Sequence, residues 1–213
     1  VQAVLAPIAL LAAGVVVFCA TDGAIMTAIR FSLARRIGGP FSPGIVVVGD
    51  SLAAACPWKR LSRRPFGVIN LATGGATLKE IAGQIYRARA LGDAILVIDG
   101  GLNDILFDDA DARRIEADFL ALLRRIEKPR QVVVTLAPFV ADARRAATIR
   151  EANAIVSQLS KARGYRVVDL NPMVSRGETR RPEMTDDGLH FTPAAQAIWL
   201  DAVDAALRQP GPN

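Results

Sequence analysis

Five short apolar runs rich in β-branched residues punctuate the chain: Ile45 to Val48, Phe66 to Leu71, Ala94 to Ile98, Gln131 to Leu136 and Tyr165 to Leu170. Runs this short and this apolar are what strands buried on both faces require, which is the condition of a parallel sheet. Between them the period changes to that of a helix. Thr77-Leu78-Lys79-Glu80 reads as a capping box opening a helix with Ile81 and Ile85 on one face. Ile115, Phe119, Leu122 and Ile126 form a second helical stripe, and Ile149, Ala152, Ile155 and Leu159 a third that ends at Gly164. Thr192 before Pro193 predicts the N-cap and first turn of a last helix running through Ile198 to Leu207. Strands alternating with helices predict an α/β fold, a three-layer α/β/α sandwich around a five-stranded parallel sheet. The longest unassigned stretch, Asn171 to Thr185, is too short to form a lid.

Ahead of this pattern, Val1 to Ala20 runs without a charge, interrupted only by Gln2 and Pro7, and Asp22 ends it. About 20 apolar residues is the length a helix needs to cross a bilayer, so a membrane anchor is expected. A cleaved signal peptide fits less well, because no basic residue precedes the run and Phe18-Cys19-Ala20 is a poor cleavage site. A buried core helix is the remaining alternative. Arg30, Arg35 and Arg36 follow the run, so the positive-inside rule keeps the domain on the cytoplasmic side, an orientation that one or two basic residues before Val1 would reverse. The turn-rich Gly38 to Gly44 is a linker. The chain thus divides into an N-terminal hydrophobic segment (1–37), a linker (38–44) and a folded domain (45–213).

Composition narrows the chemistry. With 213 residues, 51% of them hydrophobic, the chain is long enough for one well-buried domain and too short for two ordinary ones. The net charge of +5 raises nucleic acid or anionic lipid as a partner. The arginines argue against nucleic acid: they fall in pairs, Arg35-Arg36, Arg63-Arg64, Arg124-Arg125, Arg144-Arg145 and Arg180-Arg181, with carboxylates between most of them and no interleaved aromatics. Solvated faces are the expectation for all five pairs. Cys19 and Cys56 make no disulfide framework and no metal-ligand cluster, so no metal or cofactor is expected. Only one histidine, His190, is present, and any chemistry needing imidazole must use it.

In parallel α/β sheets ligands bind beyond the carboxyl ends of the strands. After the first run comes Gly49-Asp50-Ser51-Leu52, after the second Gly74-Gly75-Ala76-Thr77, after the third Gly101-Leu102-Asn103-Asp104, and after the fifth Asp187-Gly188-Leu189-His190. Ser51, at a strand-to-helix turn, is placed as a nucleophile; taken alone it reads rather as a helix N-cap. His190 is placed to take its proton, with Asp187 holding the imidazole, although a lone Asp-x-x-His is also common turn chemistry. The Asn103 side chain and the amides of Gly75 and Ser51 would form an oxyanion hole. Cys56 lies a turn into the first helix and reads as packed against the sheet. Asp50, Asp104 and Asp186 read as structural acids. The G-x-S-x-G elbow of α/β-hydrolases is absent, because residue 53 is Ala.

These blocks resemble those of the SGNH (GDSL) hydrolases. Gly49-Asp50-Ser51-Leu52 is similar to that family's first block, Asn70 to Thr77 to its second, Gly101-Leu102-Asn103-Asp104 to its third and Asp187-Gly188-Leu189-His190 to its last. The resemblance implies a flavodoxin-like sheet of strand order 2-1-3-4-5. It also implies Ser51 as nucleophile, His190 and Asp187 as base and orienting acid, and Ser51, Gly75 and Asn103 as oxyanion donors. Ala72 replaces a common glycine of the second block, and Gly74 adjoins Gly75, so either glycine is a candidate amide donor. The expected activity is an esterase acting on a small-molecule or glycan ester through an acyl-enzyme. The alternatives are an envelope-glycan deacetylase or acyltransferase, and a membrane-bound binding module without turnover.

Overall fold

The structure, a computed structural model, describes residues 24–38, 42–62, 67–127 and 131–209. Five strands, β1 (Ile45–Val48), β2 (Val68–Asn70), β3 (Ile95–Ile98), β4 (Val132–Thr135) and β5 (Arg166–Val168), form one sheet of order β2-β1-β3-β4-β5. Every neighbouring pair is parallel, with Val46 opposite Ile69 on one side and Leu96 on the other. β1 matches its apolar run, and the other four strands are shorter than the runs that announce them. Leu71 and Leu136 still donate their N–H to Val47 O (2.8 Å) and Val168 O (2.9 Å), so the ladder extends one bond past the regular strand before the chain turns away. β5 departs from the expectation of burial on both faces. It is an edge strand, and Arg166 and Val167 are only half buried.

The helices are α1 (Ala24–Ile37), α2 (Ser51–Ala55), α3 (Leu78–Ala88), α4 (Leu102–Leu106), α5 (Ala112–Leu123), α6 (Ala146–Lys161), α7 (Asn171–Val174) and α8 (Pro193–Arg208). α3, α5 and α6 pack side by side in one layer; α8, with the 3-10 turn Trp58–Leu61, packs in the other. Beneath α8 the rings of Trp58 and Trp199 meet edge to face at 4.8 Å, and Phe191 meets Trp199 at 5.6 Å. The Trp199 indole is fully buried and donates to Thr135 Oγ1 at 3.1 Å, so its one polar atom is satisfied.

Local signals hold at the helix starts. Glu80 accepts from the Thr77 N–H (2.8 Å) and hydroxyl (3.0 Å) at the head of α3, and these bonds hold its carboxyl below the usual range. Thr192 caps α8 by accepting from Ala195 N. The third stripe is corrected by one position. Ile149, Ala152 and Asn153 are buried on α6 while Ile155 is half exposed, because Asn153 turns inward to bond both backbone groups of Ala137.

α1 lies against β2, burying Arg30 and Ala34. The expected anchor, Val1 to Ala20, falls outside the described residues. Among those described, no helix is long and apolar enough to cross a membrane. Within the stretch Asn171 to Thr185 the chain builds α7 and a small antiparallel hairpin, β6 (Ser175–Arg176) and β7 (Thr179–Arg180).

Candidate active site

All four blocks meet at the carboxyl edge of the sheet. At the end of β1, Asp50 takes the extended N-cap conformation of α2 and its Oδ1 accepts from Leu52 N at 2.9 Å. Ser51 is therefore the first helical residue rather than the cap. Its hydroxyl is not consumed by the helix end, and its own N–H lies among the amides an α-helix leaves unpaired. The turn is tight enough to require glycine before it, since a Cβ on Gly49 would meet Ala53 Cβ at 2.8 Å and Asp99 Cβ at 3.1 Å. Gln84, buried on α3, grips this turn from below. It accepts from Gly49 N (2.7 Å) and donates to Gly49 O and Thr73 Oγ1 (3.0 Å each).

The imidazole of His190 spans the gap between two loops. Its Nε2 lies 3.0 Å from Ser51 Oγ and its Nδ1 lies 2.7 Å from Asp187 Oδ2. Asp187 Oδ1 also accepts the backbone N–H of His190 (2.7 Å) and of Leu189 (2.9 Å). The bond from the His190 side chain, followed by these two amides, holds the Asp187 carboxyl well below the usual carboxylate range. Ser51 and His190 are half buried and Asp187 is exposed, so the three open to solvent.

Opposite them, the Thr73–Ala76 turn is closed by Ala76 N donating to Thr73 O at 3.3 Å. Its third residue, Gly75, has φ of 74°, a left-handed conformation that glycine adopts without penalty. Gly74 faces Ser51: a Cβ there would lie 4.0 Å from Ser51 Cβ. Asn103, nearly buried at the start of α4, donates from Nδ2 to Ala76 O at 3.0 Å, which ties the third block to the second. Asp104 accepts from Leu78 N at 3.0 Å at the head of α3, and burial raises its carboxyl. Asp186 is exposed in the loop before Asp187.

Cys56 is buried, and burial pushes its thiol up to about 12, so it carries no thiolate near neutrality. The expectation of solvated arginine pairs needs correction at Arg180, of which only 2% is exposed. Its Nε donates to Phe139 O (2.7 Å), its Nη1 to Leu189 O (3.2 Å), and its guanidinium lies 4.3 Å from the Phe191 ring centre. Gln84, Asp99 and Arg180, three buried polar residues around the site, carry no local signal: each sits in a segment whose spacing and charge read as ordinary helix, strand end or surface.

The fold is a parallel α/β sandwich with the four blocks gathered at one edge, and a family match makes it an enzyme of the hydrolase kind. The model of the GDSL-like Lipase/Acylhydrolase family matches residues 47–198, and the chain belongs to that family. A search of curated proteins finds no match. Solved structures share the fold at low identity. A GDSL-like lipase from Bacteroides thetaiotaomicron is 20% identical with a TM-score of 0.69, covering 84% of this chain and 94% of its own. A carbohydrate esterase family 3 protein from Talaromyces cellulolyticus is 16% identical with a TM-score of 0.64, over 76% of this chain and 95% of its own. The catalytic domain of peptidoglycan O-acetyltransferase A from Streptococcus pneumoniae is 18% identical with a TM-score of 0.63, over 78% of this chain and 93% of its own.

Proposed function

We propose that the protein is a serine esterase that cleaves carboxylic esters through an acyl-enzyme on Ser51. The observation that carries this reading is the continuous line Ser51 Oγ, His190 Nε2, His190 Nδ1, Asp187 Oδ2, with separations of 3.0 and 2.7 Å. His190 takes the Ser51 proton as Oγ attacks the ester carbonyl carbon, and Asp187 Oδ2, by accepting from Nδ1–H, keeps Nδ1 protonated so that Nε2 is the free base. The tetrahedral oxyanion is met by the N–H of Ser51, the N–H of Gly75 and the Nδ2 of Asn103. The alkoxide leaves with the proton held by His190. Water then attacks the acyl carbon, giving its proton to His190, and the carboxylic acid departs as Ser51 recovers its hydrogen.

The openness of Ser51 and His190 and the packing of the β6–β7 hairpin onto the domain, with Arg180 N bonded to Val140 O (3.1 Å), favour small or exposed esters. A second reading keeps the same acyl-enzyme and passes the acyl group to or from a glycan hydroxyl. It draws on the open site and on the likeness to a carbohydrate esterase and a peptidoglycan O-acetyltransferase. A fluorophosphonate should label the full chain on Ser51 and leave Ser51→Ala unlabelled; failure to label the wild type overturns both readings. Competition between water and an added sugar hydroxyl for the acyl group separates them.

A further inference from the structure

The His190 loop is exposed, yet its imidazole is held 3.0 Å from a serine 139 residues away in sequence. A loop of this kind keeps such a distance only if something rigid fixes its backbone. Gly188 O accepts from Ala141 N at 2.9 Å, and Thr185 pairs with Phe191 in a single β-bridge. Both are single backbone tethers, at Gly188 and Phe191, and Asp187 accepts from the N–H of Leu189 and His190 within the loop itself. From outside the loop, one side chain reaches both residues that flank His190. Arg180 bonds the carbonyl of Leu189, the residue before His190, and stacks on the ring of Phe191, the residue after it. It is itself fixed through Phe139 O and, by its own N–H, Val140 O, just beyond β4.

We propose that Arg180 is a positioning residue for His190, a buried fork that ties the catalytic loop to the end of β4. The inference rests on the reading of Ser51 and His190 as the reacting pair. Burying a guanidinium is costly, and an apolar side chain would fill the same space at lower cost, so packing alone does not account for it. Burial lowers its pKa only to about 10, which leaves the cation intact at neutral pH. Nε and Nη1 donate to two carbonyls in different segments, while the buried Nη2 has no partner among the described residues; the planar guanidinium matches that two-way geometry and a single ammonium does not. The charge of Asp187 opposes that lowering and favours the ionised form.

The test uses Arg180→Met and Arg180→Lys in the full chain, assayed with a small aryl ester. Arg180→Met should lower kcat by about 10- to 100-fold with KM within about twofold, as a displaced base does. Arg180→Lys, which keeps the charge but not the fork, should recover only part of that loss. Because His190 is the sole imidazole, its ring signals in NMR need no assignment. The Nδ1 proton bonded to Asp187 should be visible in the wild type and broadened by exchange in Arg180→Met. A folded Arg180→Met with wild-type kcat and an unchanged Nδ1 proton overturns the proposal. Should neither variant fold, the wild type still decides: the Arg180 Nε proton should be protected from exchange, and a freely exchanging guanidinium overturns the proposal. If Ser51→Ala retained activity, the reading of the site would fail, while the imidazole and guanidinium signals, which need no turnover, would still report on the tether.

Discussion

Asp50 and Asp99 press two carboxyl groups together beneath Ser51, each with only 2% of its surface exposed. Burial raises both carboxyls, and two neighbouring carboxyls this buried do not both ionise readily. Asp50 caps α2 by accepting from Leu52 N, a bond that favours its ionised form. Asp99 is the one that keeps the proton: burial, then the charge of Asp50, raises it well above the usual carboxylate value, and the charge of Arg180 opposes this only weakly. The arrangement puts a single negative charge, not two, under the turn that carries Ser51.

A carboxyl raised in the folded state binds its proton there over a range where the unfolded chain has lost it. Its contribution is therefore most favourable below the ordinary carboxylate value, and stability falls as pH rises from that value through the raised one. Asp99→Asn reproduces the neutral form and removes this dependence. Thermal melts of wild type and variant should diverge as pH increases, the variant becoming the more stable, with activity retained. A variant that melts lower than wild type at alkaline pH would mean that Asp99 is ionised.

Ser51 and His190 should behave as a unit. Alanine at either position should lower kcat by roughly 10⁴ or more, with the double variant little worse than either single one. Asn103→Ala should cost about 10²-fold, because two of three donors remain. Steady-state kinetics on aryl esters checks each. A folded His190→Ala protein with near-normal turnover would leave the mechanism without a base.

Gln84→Leu should destabilise the fold by about 1–3 kcal/mol, because it orphans the N–H of Gly49 in a buried turn, while Gly49 O keeps the Thr73 N–H. Urea unfolding followed by tryptophan fluorescence measures the loss. The turn it releases carries Ser51, so turnover should fall as well. A change under about 0.5 kcal/mol would show that the Gly49 groups find other partners.

The uncharged run Val1 to Ala20 should behave as an integral anchor, given that about 20 such residues suffice to span a bilayer. Full-length protein should stay in the membrane fraction after an alkaline carbonate wash, and its release would remove the anchor from the reading of this chain.

What the chain's own pattern determined is local. Ile45 to Val48 is a strand wherever it is placed, because four β-branched residues with no polar alternation must be buried on both faces. Thr77 with Glu80, and Thr192 with Pro193, start helices because each satisfies the amides of its own first turn. The first three blocks were legible for the same reason: each follows a strand, and strands in a parallel sheet end on one edge, whereas the His190 block lies beyond α7 and the β6–β7 hairpin and only the tertiary structure returns it to that edge. The strand order came from the resemblance to SGNH hydrolases and not from periodicity. The tertiary structure alone decided which residues surround the site. Asp50 rather than Ser51 became the cap, freeing the hydroxyl. Asn153 turned into the core to serve Ala137. Arg180, one of a charged pair in an unassigned stretch, became a buried clamp because β4 and the His190 loop converge on it. Such roles depend on partners tens of residues away, and a buried guanidinium or carboxyl is stable only where those partners arrive to meet it.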